Sequence, residues 1–289
     1  MTAITPRVPP VDRAPVSLDA VVGADPSATS DPRPVRAMAL QHIPLSRIVS
    51  LELRKSFDTR TGFWLMASIG IASLLATIGV ILFAAAAERT FSTFTLATGF
   101  PMAIILPVIA ILSVTSEWSQ RSGLTTFTLV PHRGRVILAK GIAVVLVAIA
   151  SMLLAFAIGA AGNVVGALIA GTDAIWDQSL AVLGAIVLGN TLVLLVGFML
   201  GLLIRNSAGA MVAYFVFGFI APPLLELLAF TQDWFRDVHP WVDPNVTQKL
   251  LFHGPLAGEQ WSQLGFTTLV WLVVPITVGL WTMLRAEVK

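Results

Sequence analysis

Charged side chains with a potential for chemistry are concentrated in one short segment, residues 117–140. This segment carries five formal charges, four of them positive, and they are Glu117, Arg121, Arg133, Arg135 and Lys140. Long apolar stretches flank the segment on both sides. A basic cluster binds acidic surfaces electrostatically, and beside membrane helices it also keeps a loop on the cytoplasmic side. The arginines alone do not distinguish between these two roles.

Patterns for catalysis, metal binding and nucleotide binding are missing from the sequence. The chain has no cysteine, and its four histidines are widely spaced without an HExxH motif. It contains no GxxxxGK[ST] motif, no GxGxxG motif and no nucleophile elbow. We therefore predict a non-catalytic protein that binds no cofactor directly. The formal net charge of +2 is too small to indicate a nucleic-acid partner.

The composition predicts an all-α integral membrane protein. Hydrophobic residues make up 56% of the 289 residues and charged residues only 12%, whereas soluble domains carry roughly 25% charged residues. Six stretches approach the roughly 20 apolar residues that cross a bilayer as a helix. They cover 62–87, 95–116, 136–169, 180–204, 208–230 and 264–284. The third exceeds one span, so either its 136–140 end projects into the cytoplasm or its far end breaks near Gly166.

Two further segments have a different texture from the spans. Residues 1–43 are rich in proline and lack a periodic apolar pattern, which predicts a disordered cytoplasmic tail. The loop 231–263 is long, contains prolines and remains rich in apolar residues. We expect this loop to fold back onto the membrane surface instead of extending into water.

Residues 44–60 show the pattern of an amphipathic helix. Ile48 and Leu53 share one side of the helix, and Arg54 lies on the opposite side. Glu52 interrupts the apolar side. A short helix of this kind with basic flanks is expected to lie in the membrane interface, and the alternative is a cytoplasmic extension of the first span.

The distribution of basic residues predicts the orientation. An even number of spans places both termini on the same side of the membrane. Of the 18 lysines and arginines, only Arg89, Arg236 and Lys249 fall on the side opposite the termini. Because short cytoplasmic loops are enriched in Lys and Arg, we predict cytoplasmic termini.

The interior of the predicted spans contains almost no ionisable side chain. Glu226 is the only acidic residue inside a span, and its position predicts a place near the outer interface. Ion-coupled carriers use ionisable groups or broken helices near the middle of the membrane. We interpret Glu226 as an interfacial residue and find no carboxylate at greater depth.

Prolines and aromatic residues mark two spans. Pro101 and Pro107 are expected to kink the second span and to free backbone carbonyls, so this span faces protein or a cavity. The fifth span carries a row with the i, i+3, i+4 spacing of one helix face. The row consists of Met211, Tyr214, Phe215, Gly218, Phe219 and Pro222. This face either lines a lipophilic substrate path or serves ordinary packing or lipid contact.

The sequence resembles the permease subunits of ABC-2-type exporters, also called type V ABC transporters. The resemblance extends from about residue 44 to the end of the chain, and its motifs lie in two segments. The matching residues are Glu52-Leu53-Arg54-Lys55 and Arg60-x-Gly62-Phe63-Trp64 in the first, and Glu117, Gly123-Leu124-Thr125, Leu129-Val130-Pro131, Arg133 and Lys140 in the second.

The resemblance implies that 44–289 is an ABC-2-type transmembrane permease domain whose coupling loop, 117–135, docks on a separate ATP-binding subunit. ATP and Mg would be bound by that partner. The ATPase-coupling residues would be Glu52, Arg54, Glu117, Arg121, Arg133, Arg135 and Lys140. A second permease subunit, identical or homologous, would pair through spans two and five. The loop 231–263 would contain short re-entrant helices.

The implied function is that of a permease subunit of an ATP-driven exporter in the bacterial plasma (inner) membrane. The substrate path or dimer interface would comprise Phe100, Pro101, Pro107, Met211, Tyr214, Phe215, Gly218 and Phe219. Linings of this kind favour a lipophilic or amphipathic cargo, such as a drug, an antibiotic peptide or a lipid, with multidrug or antibiotic resistance as a role. The alternatives are an ion-coupled secondary transporter and a membrane scaffold or sensor that transports nothing.

Overall fold

The computed structural model describes residues 44–58, 60–119, 133–254 and 256–285. Within these ranges the chain forms helices joined by turns, without a strand. The helices are α1 Leu45–Asp58, α2 Arg60–Phe83, α3 Phe91–Ser119, α4 Arg133–Ala170, α5 Leu180–Ile204, α6 Ser207–Thr231, α7 Asp233–Val242, α8 Pro244–Leu251 and α9 Gly258–Thr282. Six of the described helices, α2 to α6 and α9, are long and apolar enough to cross a membrane. This is the architecture of a multi-pass membrane protein.

The six predicted spans correspond one to one to these six helices. Their ends differ in places, since α2 stops at Phe83, before a 3-10 turn at Ala86–Glu88, and α9 begins earlier than predicted. The predicted alternative of a break near Gly166 is wrong, because α4 continues without interruption to Ala170. Gly166 instead lies against the ring of Phe94. Its missing side chain therefore serves close packing and does not interrupt the helix.

The core is built around α3, which packs against α2, α4 and α5. Its buried Met102 and Leu106 belong to one apolar cluster with Met152 of α4 and with Leu194 and Phe198 of α5. The share of the most apolar 18 residues that is buried is 61% in α5, but only 17% in α2 and 11% in α6. The apolar surface of α2 and α6 is thus available to lipid or to another protein.

Two glycines allow α3 to approach its neighbours closely. A β-carbon on Gly197 of α5 would lie 2.7 Å from the carbonyl oxygen of Pro107, and one on Gly162 of α4 would lie 3.0 Å from the ring of Phe94. Both glycines begin a Gly-x3-Gly pair, which is typical of close contacts between membrane helices. Neither position accepts a side chain unless a neighbouring group shifts.

Two peripheral helices change from α to π geometry near their middle. The π segments are Val216–Ile220 in α6 and Leu269–Val273 in α9, and Pro222 and Pro275 follow them. A proline has no N–H to donate, and its ring crowds the carbonyl four residues earlier, which a wider turn relieves. In contrast, α3 remains α-helical through both of its prolines.

Several predicted features lie outside the described residues. They are the tail 1–43, residues 120–132 of the coupling loop, which include Arg121, and the side chains of Glu117 and Arg133. The predicted helix at 44–60 is present as α1. Its location in the membrane interface and the cytoplasmic location of the termini stay predictions.

Candidate functional site

A buried ion pair joins α1 to the beginning of α4. The Lys140 Nζ atom donates a hydrogen bond to a Glu52 carboxylate oxygen (Oε2) at 2.6 Å, and the two side chains are only 4% and 15% exposed. The two residues are 88 positions apart in the sequence. The contact is therefore tertiary and holds two separate elements together. Loss of either partner would remove the counter-ion that this contact supplies to a buried charge.

The ion pair explains the irregular pattern of α1. Ile48 lies one helical turn before Glu52 and is buried, so the two side chains share the face that packs into the bundle. α1 packs against both α4 and α2. Leu51, in contrast, is exposed. The carboxylate that interrupts the apolar side of α1 is thus the residue that binds α4.

The other two members of the predicted coupling set with described side chains are Arg54 and Arg135. Arg54 pairs with Asp58 at 3.2 Å on the exposed side of α1. Arg135 lies in the first turn of α4 and is half-buried. The structure therefore brings Glu52 and Lys140 together and places Arg54 on the solvent-accessible side of the same helix.

The carbonyl that Pro107 frees has a partner. Pro107 cannot donate a hydrogen bond to the Ala103 carbonyl four residues earlier, and the Tyr214 hydroxyl of α6 donates to that carbonyl instead. Tyr214 and Pro107 are both buried. At Pro107 the second span thus faces protein, as the two prolines predict.

The aromatic residues of α6 are divided between buried and exposed positions. Tyr214 is buried, whereas Phe215 and Phe219 are exposed. The ring centroids of Phe215 and Phe219 lie 5.7 Å apart, and those of Tyr214 and Phe219 lie 6.3 Å apart. Contact between residues five positions apart agrees with the π segment, so the predicted i, i+3, i+4 spacing does not continue through Gly218.

The remaining predicted path residues lie at different depths in the bundle. Phe100 of α3 is exposed, Pro101 and Met211 are half-buried, and Pro107 is buried. Among the predicted path residues, the exposed aromatic side chains of α3 and α6 are therefore Phe100, Phe215 and Phe219. They are available to lipid or to another protein.

Residues 233–251 fold back along the spanning helices as α7 and α8. Arg236 of α7 donates from Nε to the Ala229 carbonyl of α6 at 3.3 Å. At the turn after α7, Trp271 of α9 donates from Nε1 to the Val242 carbonyl at 2.8 Å. At 1.5 Å per residue, Trp271 lies about 20 Å from the start of α9, which is about 36 Å long. The turn between α7 and α8 therefore lies beside the middle of α9. The re-entrant helices that the resemblance implies stay a prediction.

At this turn lies a second buried pair of ionisable side chains, which sequence reasoning missed. His239 Nε2 lies 3.4 Å from an Asp243 carboxylate oxygen, with side chains 13% and 3% exposed. The other carboxylate oxygen accepts hydrogen bonds from the backbone N–H of Asn245 at 2.9 Å and from its side-chain amide at 2.8 Å. The available signal was local, because an Asp before the first-turn Pro244 is typical of a helix cap. A carboxylate thus lies beside the middle of a span, where the sequence interpretation found none.

A loop contact caps α3 at its first turn. Asp177, in the turn before α5, accepts hydrogen bonds from the Ser92 backbone N–H at 2.8 Å and from its hydroxyl at 2.6 Å. The Ile175 carbonyl accepts from the Phe91 N–H at 3.0 Å. Partial burial opposes ionisation of Asp177, but the hydrogen bonds from Ser92 and Thr90 outweigh it and lower the pKa of the carboxyl below its ordinary value.

Side-chain contacts join two pairs of helices, since an ion pair links α1 to α4 and the Tyr214 hydroxyl links α6 to α3. Within the described residues, no group of three His, Asp or Glu side chains is placed to hold a metal ion.

Neither the comparison with protein-family models nor the comparison with curated proteins found a match to this chain.

Proposed function

We propose that the chain is the transmembrane permease subunit of an ATP-driven exporter of the ABC-2 type in a bacterial plasma membrane. A separate ATP-binding subunit binds ATP and Mg and hydrolyses the nucleotide, while this chain contributes the path across the membrane. The observation that carries the proposal is the buried ion pair between Glu52 and Lys140.

This ion pair has the position that a force-receiving contact needs. Lys140 lies about two turns into α4, and α4 begins where the proposed coupling loop 117–135 ends. Movement of the loop therefore reaches Lys140 through one continuous helix and passes to α1 through Glu52. For stability alone a buried charge pair is a poor choice, since an apolar pair of similar volume is often as stable or more stable.

In the proposed cycle, ATP binding closes two ATP-binding subunits and pushes the coupling loops of two permease subunits together. α1 and α4 move as one body because the ion pair joins them. The movement continues into α3, whose Met102 belongs to the same apolar cluster as Met152 of α4. α3 and α6 then shift and open a path to the outer side.

A second permease subunit, identical or homologous, is proposed to face the exposed apolar surface of α3 and α6. Phe100, Phe215 and Phe219 contribute aromatic area to this surface. Aromatic and aliphatic surfaces with few charges favour a lipophilic or amphipathic cargo. A drug, an antibiotic peptide or a lipid satisfies this requirement, and multidrug or antibiotic resistance would follow as the biological role.

Reconstitution with an ATP-binding cassette subunit tests the proposal. We expect the two proteins to co-purify and the chain to stimulate ATP hydrolysis by the partner. Arg121→Glu and Arg133→Glu should reduce this stimulation without changing membrane insertion. Lys249→Glu is the matched control, because this exposed lysine lies in α8 on the predicted outer side. Normal insertion together with unchanged stimulation in both arginine variants would contradict the coupling role.

An ion-coupled secondary transporter is the second candidate, and the His239–Asp243 pair favours it. Such carriers place ionisable groups near the middle of the membrane and use non-helical turns that line a cavity. The buried carboxylate of Asp243 lies in a turn beside the middle of α9. This pair therefore supports a proton-linked mechanism in a way that Glu226 does not, since Glu226 is exposed.

Proteoliposomes distinguish the candidates. Transport that persists without ATP, collapses with the proton gradient and is lost in Asp243→Asn would favour the secondary transporter. Transport that requires ATP and the partner subunit, and that survives Asp243→Asn, would favour the exporter. A scaffold or sensor would transport nothing under either condition.

A further inference from the structure

Tyr214 is the only tyrosine of the chain, and it occupies a position that a proline makes necessary. Because Pro107 has no N–H, the Ala103 carbonyl of α3 loses its hydrogen bond within the helix. The Tyr214 hydroxyl of α6 donates to this carbonyl. A carbonyl without a hydrogen-bond donor among apolar groups costs free energy. Loss of the hydrogen bond from the Tyr214 hydroxyl is therefore unfavourable. The bond therefore joins α6 to α3 at the carbonyl that lacks its backbone hydrogen bond within α3.

The proline is also held from α5. Gly197 brings its backbone so close that an added β-carbon would lie 2.8 Å from the Pro107 α-carbon. Pro107 thus has no room to move towards α5. Because α3 packs tightly against α5 at Pro107, the Tyr214 hydroxyl positions α6 relative to both α3 and α5.

A second hydrogen bond joins α3 and α6 at another height. The hydroxyl groups of Thr115 and Ser207 lie 2.8 Å apart. Along α6, Ser207 and Tyr214 are separated by about 10 Å. Two attachments at different heights oppose both sliding and rotation of α6 against α3. The beginning of α6 is therefore held against α3 over this whole length.

Beyond Tyr214 the geometry of α6 changes. The π segment Val216–Ile220 starts two residues later, and its wider turns interrupt the regular α-helical ladder. Val216 and Ile220 are also exposed. The attached part of α6 thus ends where a deformable part begins.

We propose that Tyr214 is a positioning residue that makes the first half of α6 follow α3, with bending confined to Val216–Ile220. The part of this inference that concerns ATP-driven movement rests on the proposed function. The hydrogen bond and the attachment of the two helices do not depend on it, and they are measured on the chain alone.

The hydrogen bond is tested by fluorine NMR, because 3-fluorotyrosine labels one position in the full chain. Pro107→Ala restores an N–H that competes for the Ala103 carbonyl, so the single signal should shift in lipid nanodiscs. Pro101→Ala is the matched control in the same helix and should leave the signal in place. An unchanged signal in Pro107→Ala, or an equal shift in Pro101→Ala, would overturn the proposal.

The attachment is tested by spin labels, since the chain has no native cysteine. Leu96→Cys in α3 and Val212→Cys in α6 are exposed positions on the two helices. We expect a narrow distance distribution between the labels and a broader one when Tyr214→Phe removes the hydroxyl but keeps the ring. Equal widths with and without the hydroxyl would contradict the attachment.

A double variant separates positioning from stability. In Tyr214→Phe/Pro107→Ala the Ala103 carbonyl bonds within α3 again, so thermal stability should recover while the label distribution stays broad. Recovery of a narrow distribution as well would show that the hydroxyl only stabilises α3, which overturns the positioning role.

The link to ATP is tested by adding the ATP-binding subunit and ATP. The label distance should stay constant with the hydroxyl present and change in Tyr214→Phe. A change of equal size in both proteins would overturn the coupled movement. If the chain binds no ATP-binding subunit, the proposed function fails and the coupled movement with it, while the measurements on the chain alone still decide the attachment.

Discussion

Glu52 and Lys140 lie on helices far apart in the sequence and meet at 2.6 Å, whereas His239 and Asp243 belong to neighbouring turns of one segment and lie 3.4 Å apart. Asp243 has additional hydrogen bonds from Asn245, which cap α8. The first pair therefore joins two separate elements, α1 and α4, while the second contributes to a turn that other bonds also hold. Charge burial alone does not reveal which of the two roles a pair has.

The two pairs also support different functions. Lys140 follows the proposed coupling loop in the sequence, and in the proposed exporter the Glu52–Lys140 pair receives movement from a partner. The His239–Asp243 pair lies beside the middle of α9 and favours proton-linked transport. Substitutions at the two pairs therefore test the structural comparison and the functional alternatives in parallel.

The largest effect is expected for Lys140→Met, which removes the ammonium group that pairs with the buried Glu52 carboxylate. Breaking a buried ion pair on one side typically lowers the free energy of unfolding by about 3–5 kcal/mol. Thermal or denaturant unfolding of the purified chain in detergent measures the loss. The double variant Glu52→Leu/Lys140→Met should recover most of the stability, because the charge is then absent.

Partner-stimulated ATPase activity adds a second readout for these variants. If the pair transmits movement, the apolar double variant should fold normally and still show reduced stimulation. Full stimulation in a stable double variant would indicate that the ion pair serves only to hold α1.

The next largest effect is expected at the close contact between α3 and α5. In Gly197→Ala the new β-carbon meets the backbone of Pro107, which cannot rotate away. Overpacking of this kind costs about 1–3 kcal/mol in the free energy of unfolding. Gly184→Ala is the matched control in the same helix, since its β-carbon meets nothing within 4 Å. A loss of stability of equal size at both positions would argue against the close contact of α3 and α5.

A smaller effect is expected for His239→Leu. Asp243 keeps its bonds from Asn245 in this variant, and its 3.4 Å contact with His239 is longer than an ordinary hydrogen bond, so the loss should be at most about 1 kcal/mol. Unfolding in detergent provides the comparison with Lys140→Met. A loss as large as that of Lys140→Met would remove the distinction between a local and a tertiary pair.

The sequence predicts the six spans because each one is a long apolar run whose signal is local. It also indicates that Glu52 is unusual on its helix face, but the partner is 88 positions away and no local pattern identifies it. Gly166 illustrates the same limit, since a glycine in a long helix is compatible with a break or with close packing. Its contact with Phe94 decides between these possibilities.

The π segments and the His239–Asp243 pair could not be predicted from the sequence for a related reason, because both depend on contacts in space. A proline in an apolar helix can be accommodated by a π turn, as before Pro222, or by a hydroxyl from another helix, as at Pro107. The outcome depends on which side chains lie nearby in space. Likewise, Asp243 reads as a loop residue until α7 and α8 are seen to lie along α6 and α9.

The smallest effect is expected at the Asp177 cap, where stability should depend weakly on pH. The folded state holds the pKa of Asp177 below its ordinary value, which is about 3.9 for an aspartate. The folded chain therefore binds fewer protons than the unfolded chain, and the cap is fully effective above that ordinary value. Its contribution is lost as the pH falls further, through the lowered pKa of the folded state. Unfolding measured from pH 7 downwards should show this loss in the wild type and a weaker one in Asp177→Asn, whereas the same acid sensitivity in both proteins would assign it to other carboxylates.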